Sequence, residues 1–243
     1  MRNILYLTTA LLAVSNGPAA FAQAATDNAD DYLIVVTAQR TTPLELDREA
    51  EEELATGPDA AAFIARQPGM ALVDNGALSG QVQMRGLFGE RILLRINGQH
   101  FATGGPNAMD PAMHYAPMAL IDRVEIARGT SPVRDGPGLG GGVNAVLKQS
   151  GFGEAGALAP QVDVSAQYRS VDDSVAVGGM AGLANDRVRI GAIASYEKGN
   201  DMRFPGGRVD GTGFERAVYG VHAGFKAGLG ELSVEYRRQD TGR

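Results

Sequence analysis

The chain has no cysteine, and that one absence removes disulfides, thiolate metal centres and cysteine nucleophiles together. Histidine is nearly as scarce. His100, His114 and His222 are the only candidate bases, and no Gly-x-Ser-x-Gly elbow accompanies them. Basic residues are outnumbered, 22 Lys and Arg against 28 Asp and Glu, for a formal charge of −6. A nucleic-acid footprint needs a basic face, so no nucleic acid is expected as a partner. Beyond the N-terminus no apolar run reaches the ~20 residues of a transmembrane helix, which leaves membrane crossing to strands. The carboxylates of residues 47–53 and Asp172-Asp173 read as solvated clusters. The chain is therefore not read as an enzyme, and no cofactor is expected.

Glycine, by contrast, is abundant at 33 of 243 residues. It costs a helix interior about 1 kcal/mol relative to alanine, which disfavours a helical bundle and favours turns and close strand packing. The N-terminus reads as an export signal: Arg2, an uncharged apolar core over residues 4–14, and the small-x-small pattern Ala20-Phe21-Ala22 before Gln23. Residues 1–22 are then a signal peptide and residues 23–45 a tether, its first stretch expected to be disordered. Within the tether, Ile34, Val35, Val36, Thr37 and Ala38 form a brief β-branched run. Such a run cannot bury itself and suits addition to a partner's sheet edge; the alternative is the first strand of the next domain.

Residues 44–66 carry helical character, with a start signal at Thr56-Gly57-Pro58-Asp59 and a helix over residues 60–66 stopped by Pro68-Gly69. Ala61, Ile64 and Ala65 lie at i, i+3, i+4 and face the core. Short glycine-ended strands follow at residues 82–84, 92–96 and 124–126, and Asn97-Gly98 is the strongest two-residue hairpin signal. A long irregular loop occupies residues 101–117. The expected product is an α+β domain over residues 46–150.

After Gly151 the rhythm changes. Val162, Val164, Ala166 and Tyr168 alternate with Asp163, Ser165, Gln167 and Arg169, and four more stretches centred near residues 178, 192, 222 and 234 repeat the pattern. Apolar on one face and polar or small on the other, with alternately tight and longer connections, they match antiparallel strands of a transmembrane barrel; a soluble sandwich would alternate too. Five strands cannot close a barrel, so residues 151–243 read as the first strands of an incomplete one, the front of a longer protein.

Several motifs, in order and spacing, resemble the plug domain of TonB-dependent outer-membrane receptors: Pro68-Gly69-Met70, Gln83-Met84-Arg85-Gly86, Leu93-Leu94-Arg95-Ile96-Asn97-Gly98, Ile121-Asp122-Arg123-Val124-Glu125-Ile126-Ala127-Arg128-Gly129 and Gly141-Gly142-Val143-Asn144. The resemblance makes Arg85, Gly86, Asn97, Gly98, Arg128, Gly129, Gly141 and Gly142 the plug-motif residues, with Asn97 where the family usually has Asp and Asp135-Gly136 in place of an aromatic-Gly pair. It also makes Ile34 to Ala38 a TonB box. It implies a receptor in the outer membrane of a Gram-negative bacterium, in contact with outer-membrane lipid. Its partners would be TonB with its inner-membrane energising complex, and its cargo a small molecule, metal or metal chelate. Met109-Asp110-Pro111 resembles the Met-Asp-Pro loop of the copper-receptor branch, with Ala112 in place of that branch's second proline. Two thioethers and an imidazole at Met109, Met113 and His114 suit a soft ion such as Cu(I). Alternatives are a secreted soluble binding module and a non-functional receptor remnant. Gly136-Pro137-Gly138-Leu139-Gly140-Gly141 satisfies G-x-G-x-x-G, but residues 130–135 separate it from the preceding strand, so it reads as a close backbone crossing beneath the barrel wall rather than a nucleotide site.

Overall fold

The computed structural model describes residues 8–10, 44–47, 59–102, 104–105, 109–129, 136, 138–228 and 230–242. In chain order the first elements are β1 (Thr8–Ala10), β2 (Leu44–Asp47), α1 (Ala60–Ile64), β3 (Met70–Val73), β4 (Gln81–Met84), β5 (Leu93–Ile96), β6 (Gln99–His100), β7 (Ile121–Arg128) and β8 (Gly141–Leu147). β9 (Ala159–Arg169), β10 (Ser174–Ala184), β11 (Val188–Gly199), β12 (Arg203–Phe204), β13 (Gly207–Arg208), β14 (Phe214–Ala227) and β15 (Gly230–Gly242) follow. The segment read as a signal peptide lies, apart from Thr8–Ala10, outside the described residues, as do Ile34 to Ala38 and Thr56 to Pro58.

The first half is an α+β unit. Its mixed sheet runs β2-β7-β8-β5-β6, with β5 parallel to β8, and β3–β4 is a separate hairpin. Turn chemistry sets both hairpin-like corners. Asn97 (φ +50°) and Gly98 (φ +77°) form the two left-handed positions of a type I′ turn joining β5 to β6, and Arg85 (φ +49°) with Gly86 (φ +82°) repeats the geometry after β4. α1 begins at Asp59, whose Oδ1 accepts from Ala61 N at 2.9 Å. Ala61 and Ile64 are fully buried, with Val82, Ile92, Ile126 and Val143 in the same core.

The helical reading of residues 44–66 is corrected at both ends. Residues 44–47 are not helical: β2 pairs antiparallel with β7, Leu44 opposite Ile126 and Asp47 opposite Arg123, so a free sheet edge decides the backbone where local propensity is weak. The helix also ends earlier than residue 66, with Ala65 as its C-cap.

The second half is a wall of long antiparallel strands in the order β15-β14-β11-β10-β9, each 11 to 14 residues long. A tilted membrane strand needs ~9–11. The sheet is open: among the described residues β9 forms one edge, and β1 pairs over Ser233 to Glu235 of β15 at the other. Side chains alternate as the sequence pattern requires. Val162 and Val164 are 71% exposed, and Val177, Ile190, Val221 and Phe225 stand out on the same outer face. Met180, Ile193 and Val218 point the other way and join the core of the α+β unit. Strands β10–β11 and β14–β15 are joined by tight turns, whereas residues 200–213, with the β12–β13 hairpin, connect β11 to β14 at the opposite end. Among the described residues no helix is long and apolar enough to cross a membrane.

The close approach expected of the glycine-rich stretch lies elsewhere. A Cβ on Gly141 would sit 2.4 Å from Ala127 O and 2.6 Å from Met84 Sδ, so that glycine serves packing inside the α+β unit. The wall is met at Gly178, where a Cβ would fall 2.8 Å from the Ala119 methyl. Ala119 belongs to the 3₁₀ turn Met118–Leu120, and its carbonyl also accepts from Ser165 Oγ at 3.1 Å. Gly178→Val should therefore push this turn off the wall and cost about 1–3 kcal/mol as an overpacked contact. Denaturant unfolding of the detergent-solubilised chain measures the loss, and amide exchange at residues 118–120 should rise with it.

Candidate functional site

The irregular loop predicted for residues 101–117 is the part of the α+β unit nearest the long-connection end of the wall, and a chain of polar contacts fixes it there. Asp59 starts this chain. Its second oxygen accepts from Gly80 N at 3.1 Å, and a Cβ at Gly80 would lie 2.1 Å from that oxygen. Burial pushes the Asp59 carboxyl above its usual range, against the pull of the Ala61 amide, the Arg216 charge and the Gly80 amide. Next, Leu78 O accepts from His114 Nδ1 at 2.9 Å. A carbonyl can only accept, so the neutral ring carries its proton on Nδ1.

The wall grips the same loop through Arg216. Glu197 and Arg216 face each other across β11 and β14, both essentially inaccessible. Glu197 Oε2 accepts from Arg216 Nε at 2.7 Å, while Arg216 Nη1 donates to His114 O at 2.6 Å. Breaking such a pair by removing one partner costs about 3–5 kcal/mol, because the other charge stays buried. Burial lowers the His114 imidazole below its ordinary range, and the Arg216 charge adds to this against the Leu78 carbonyl and Asp110.

Between loop and wall lies an outer cavity of about 560 Å³. Phe101, Asp110 and Tyr115 line it from the loop, Arg237, Arg238 and Gln239 from β15. Tyr115 donates to Asp110 Oδ2 at 2.5 Å, and its ring is 5.8 Å from that of Phe101. Burial, then the Asp110 carboxylate, raise the Tyr115 phenol to about 12. Arg237 and Arg238 are neutralised within their own strand by Glu235 and Asp240. The cavity thus offers an aromatic floor with balanced charge, fit for a polar ligand with apolar parts.

A second, inner cavity of about 480 Å³ lies towards the tight-turn end, lined by Arg123, Glu125, Asn144, Gln149 and Arg189 among others. Near it stands a contact that the sequence did not signal. Ser150 Oγ is 2.7 Å from His222 Nε2, and the Ser150 amide donates to the same nitrogen at 3.0 Å. This is a structural joint: Ser150 is fully buried, and His222 Nδ1 has no hydrogen-bond partner among the described residues, so no third group orients the ring as a base. The two residues lie 72 positions apart, and neither belongs to a motif that would have drawn attention to the other.

The predicted site residues fall into different places. Arg85, Gly86, Asn97 and Gly98 form the two turns, Arg128 and Gly129 end β7, and Gly141 and Gly142 open β8 against Arg128 and Ala127. A strand therefore follows the G-x-G-x-x-G stretch, where a dinucleotide site needs a helix. Met109 is 62% exposed on the loop, Met113 is buried in the core and His114 is half-buried. Among the described residues no three His, Asp or Glu side chains converge as a metal site.

The His114 contacts imply a pH dependence. A folded value below 6.5 means the folded chain binds fewer protons than the unfolded one. The contribution is then intact above pH 6.5 and is lost as the pH falls through 6.5 towards the folded value. The denaturant midpoint of the native chain should fall more steeply over this window than that of His114→Gln; equal slopes would remove His114 from the account.

A family model described as the TonB-dependent receptor plug domain matches residues 40–143. No curated protein matches the chain in sequence. Among solved structures, the copper transporter OprC superposes with a TM-score of 0.66 at 22% identity, covering 76% of this chain and 28% of that one. The siderophore receptor PirA from Acinetobacter baumannii gives 0.64 at 17% identity, covering 83% and 32%. The ferric enterobactin receptor PfeA from Pseudomonas aeruginosa gives 0.59 at 18% identity, covering 84% and 34%. The chain thus spans 28–34% of the length of these structures, and the likeness is one of fold. Residues 40–143 thus match the TonB-dependent receptor plug domain, and the fold is that plug followed by antiparallel strands of an incomplete β-barrel.

Proposed function

We propose that this chain serves energised uptake of a metal or metal chelate across the outer membrane of a Gram-negative bacterium. The observation that carries the reading is the two-faced wall: apolar side chains stand exposed on one side, and the plug is seated on the other. A lipid environment makes that exposed face favourable, since burying apolar surface gains about 25 cal/mol per Å². Cargo binds in the outer cavity, between Phe101, Asp110 and Tyr115 on the plug and the arginines of β15. The likeness to a copper transporter and to siderophore receptors supports this cargo class. Exposed Met109, with His114 nearby in sequence, offers a thioether and an imidazole to a soft ion, whereas Met113 contributes by packing. TonB would pair with Ile34 to Ala38 by strand addition and pull on the plug from the opposite face.

Two measurements test the reading. Deleting residues 34–38 should abolish uptake by producing cells and leave cargo binding unchanged; retained uptake refutes the tether role. In Cu(I) titrations of the purified chain in detergent, Met109→Ala with His114→Ala should weaken binding at least about tenfold, the loss of two soft ligands. Unchanged binding would remove copper and leave a chelate as the cargo. A chain that stays folded and monomeric in water without detergent would overturn the membrane placement itself.

A further inference from the structure

The outer and inner cavities have two lining residues in common, Gln99 and Glu235. They are neighbouring chambers along the plug–β15 interface, and around the Glu235 they share lies a small set of polar contacts centred on its carboxylate. Asn97, at the tip of the β5–β6 turn, donates from Nδ2 to Glu235 Oε2 at 2.7 Å. Gln149, where the plug chain leaves for the wall, donates from Nε2 to the same oxygen at 3.0 Å. Arg237, on Glu235's own strand, holds its Nε 2.6 Å from the other oxygen. We propose that Asn97 and Glu235 are the gate between the two cavities, and that an uncharged donor at position 97 is what allows the gate to close. This inference rests on the uptake reading for its purpose, though not for its geometry.

The side chain of Asn97 is fixed in orientation. Its Oδ1 accepts from Leu147 N at 2.8 Å, so its remaining atom must face Glu235. An amide NH₂ there donates to the carboxylate. A carboxylate in the same place would set oxygen against oxygen in a partly buried contact, which is repulsive. Position 97 therefore has to satisfy the plug's own backbone with one atom and the wall with the other, and asparagine does both.

The distribution of charge also makes the gate openable. Its one ion pair, Arg237 with Glu235, lies within β15 and stays intact when the plug moves. The bonds that reach Glu235 from the plug come from neutral amides, which water can re-solvate as they part, and Arg237, which loses only a long 3.4 Å contact to Tyr115 O, keeps Glu235 as its counter-charge. Opening therefore strands no unpaired charge, unlike the Glu197–Arg216 grip on His114 O, where the wall's charged pair loses a partner if the loop leaves. Cargo moving from the outer cavity to the inner one crosses the weaker of the two attachments.

The experiment is a charge-repair cycle on the full chain in detergent, read by amide hydrogen exchange at residues 97–100, with Asn97→Asp, Glu235→Gln and the double variant. The carboxylate introduced by Asn97→Asp would still accept from Leu147 N, so only the contact with the wall is challenged. Asn97→Asp should speed exchange at the turn at least about tenfold, as like charges in contact require. Glu235→Gln combined with it should return exchange to within about threefold of the native chain, since the new amide can donate to the introduced carboxylate. Native-like exchange in Asn97→Asp, or a double variant as fast as Asn97→Asp alone, overturns the proposal. If Asn97→Asp does not fold, recovery of folded protein in the double variant supports it, and failure of the double while Glu235→Gln folds overturns it. A second arm reads transit. Because the chain has no native cysteine, Asn97→Cys and Glu235→Cys can be joined by a reductant-cleavable bismaleimide in producing cells. Uptake should stop on crosslinking and resume on reduction. Uptake that continues through the crosslink defeats the gate alone, whereas uptake absent from the native chain defeats the uptake reading and leaves the exchange result standing.

Discussion

The two faces of each wall strand impose opposite demands, and the rest of the molecule answers to them. Side chains on a strand alternate strictly, so an outer face of valine, isoleucine and tyrosine forces its neighbours inward. Those inward residues include Asp163, Glu197, Arg216, His222, Glu235 and Arg237. Away from water each needs a partner, and the plug supplies many of them. Lys148 meets Asp163, the Ser150 amide meets His222, Asn97 and Gln149 meet Glu235, and backbone carbonyls of His114 and Tyr115 take Arg216 and Arg237. The plug completes the polar side of a sheet that could not fold alone with that side dry.

This explains which parts of the molecule were legible beforehand. The period-two stretches could be read because outward-facing and plug-facing positions have opposite composition, and the strands appear where that alternation runs. Asn97-Gly98 could be read because its backbone conformation is a property of two residues. Leu44–Asp47 could not, since four residues before a helix start signal become a strand only through pairing with β7. Glycine density points to residues 136–142 as the close crossing, yet steric need belongs to a place. Gly178 is isolated from that stretch and carries the tight approach to the plug, whereas Gly141 serves the plug's interior.

The candidate site was legible only in outline. The loop over residues 101–117 was singled out, and it does line the outer cavity. What fixes it was hidden, because the partners come from the far end of the chain: Arg216 reaches His114 across 102 residues, and Glu235 reaches Asn97 across 138. The Met109, Met113 and His114 grouping counted residues along the chain, whereas Pro111 and the 3₁₀ turn Ala112–Tyr115 send Met113 into the core and leave Met109 in the open. Asn97 looked like a small departure from a family pattern; beside Glu235 it becomes a matched donor.

The placement of β2 has a mechanical consequence. It is the edge strand of the plug sheet and lies closest along the chain to residues 34–38. Tension drawn away from β7 from that side meets the Leu44–Ile126 pair first and then advances towards Asp47–Arg123. An edge strand loaded at its end peels one rung at a time, so the work of detachment is spread over distance and the peak force stays small. The interior strands β7, β8 and β5 would be spared while the first slack is taken up.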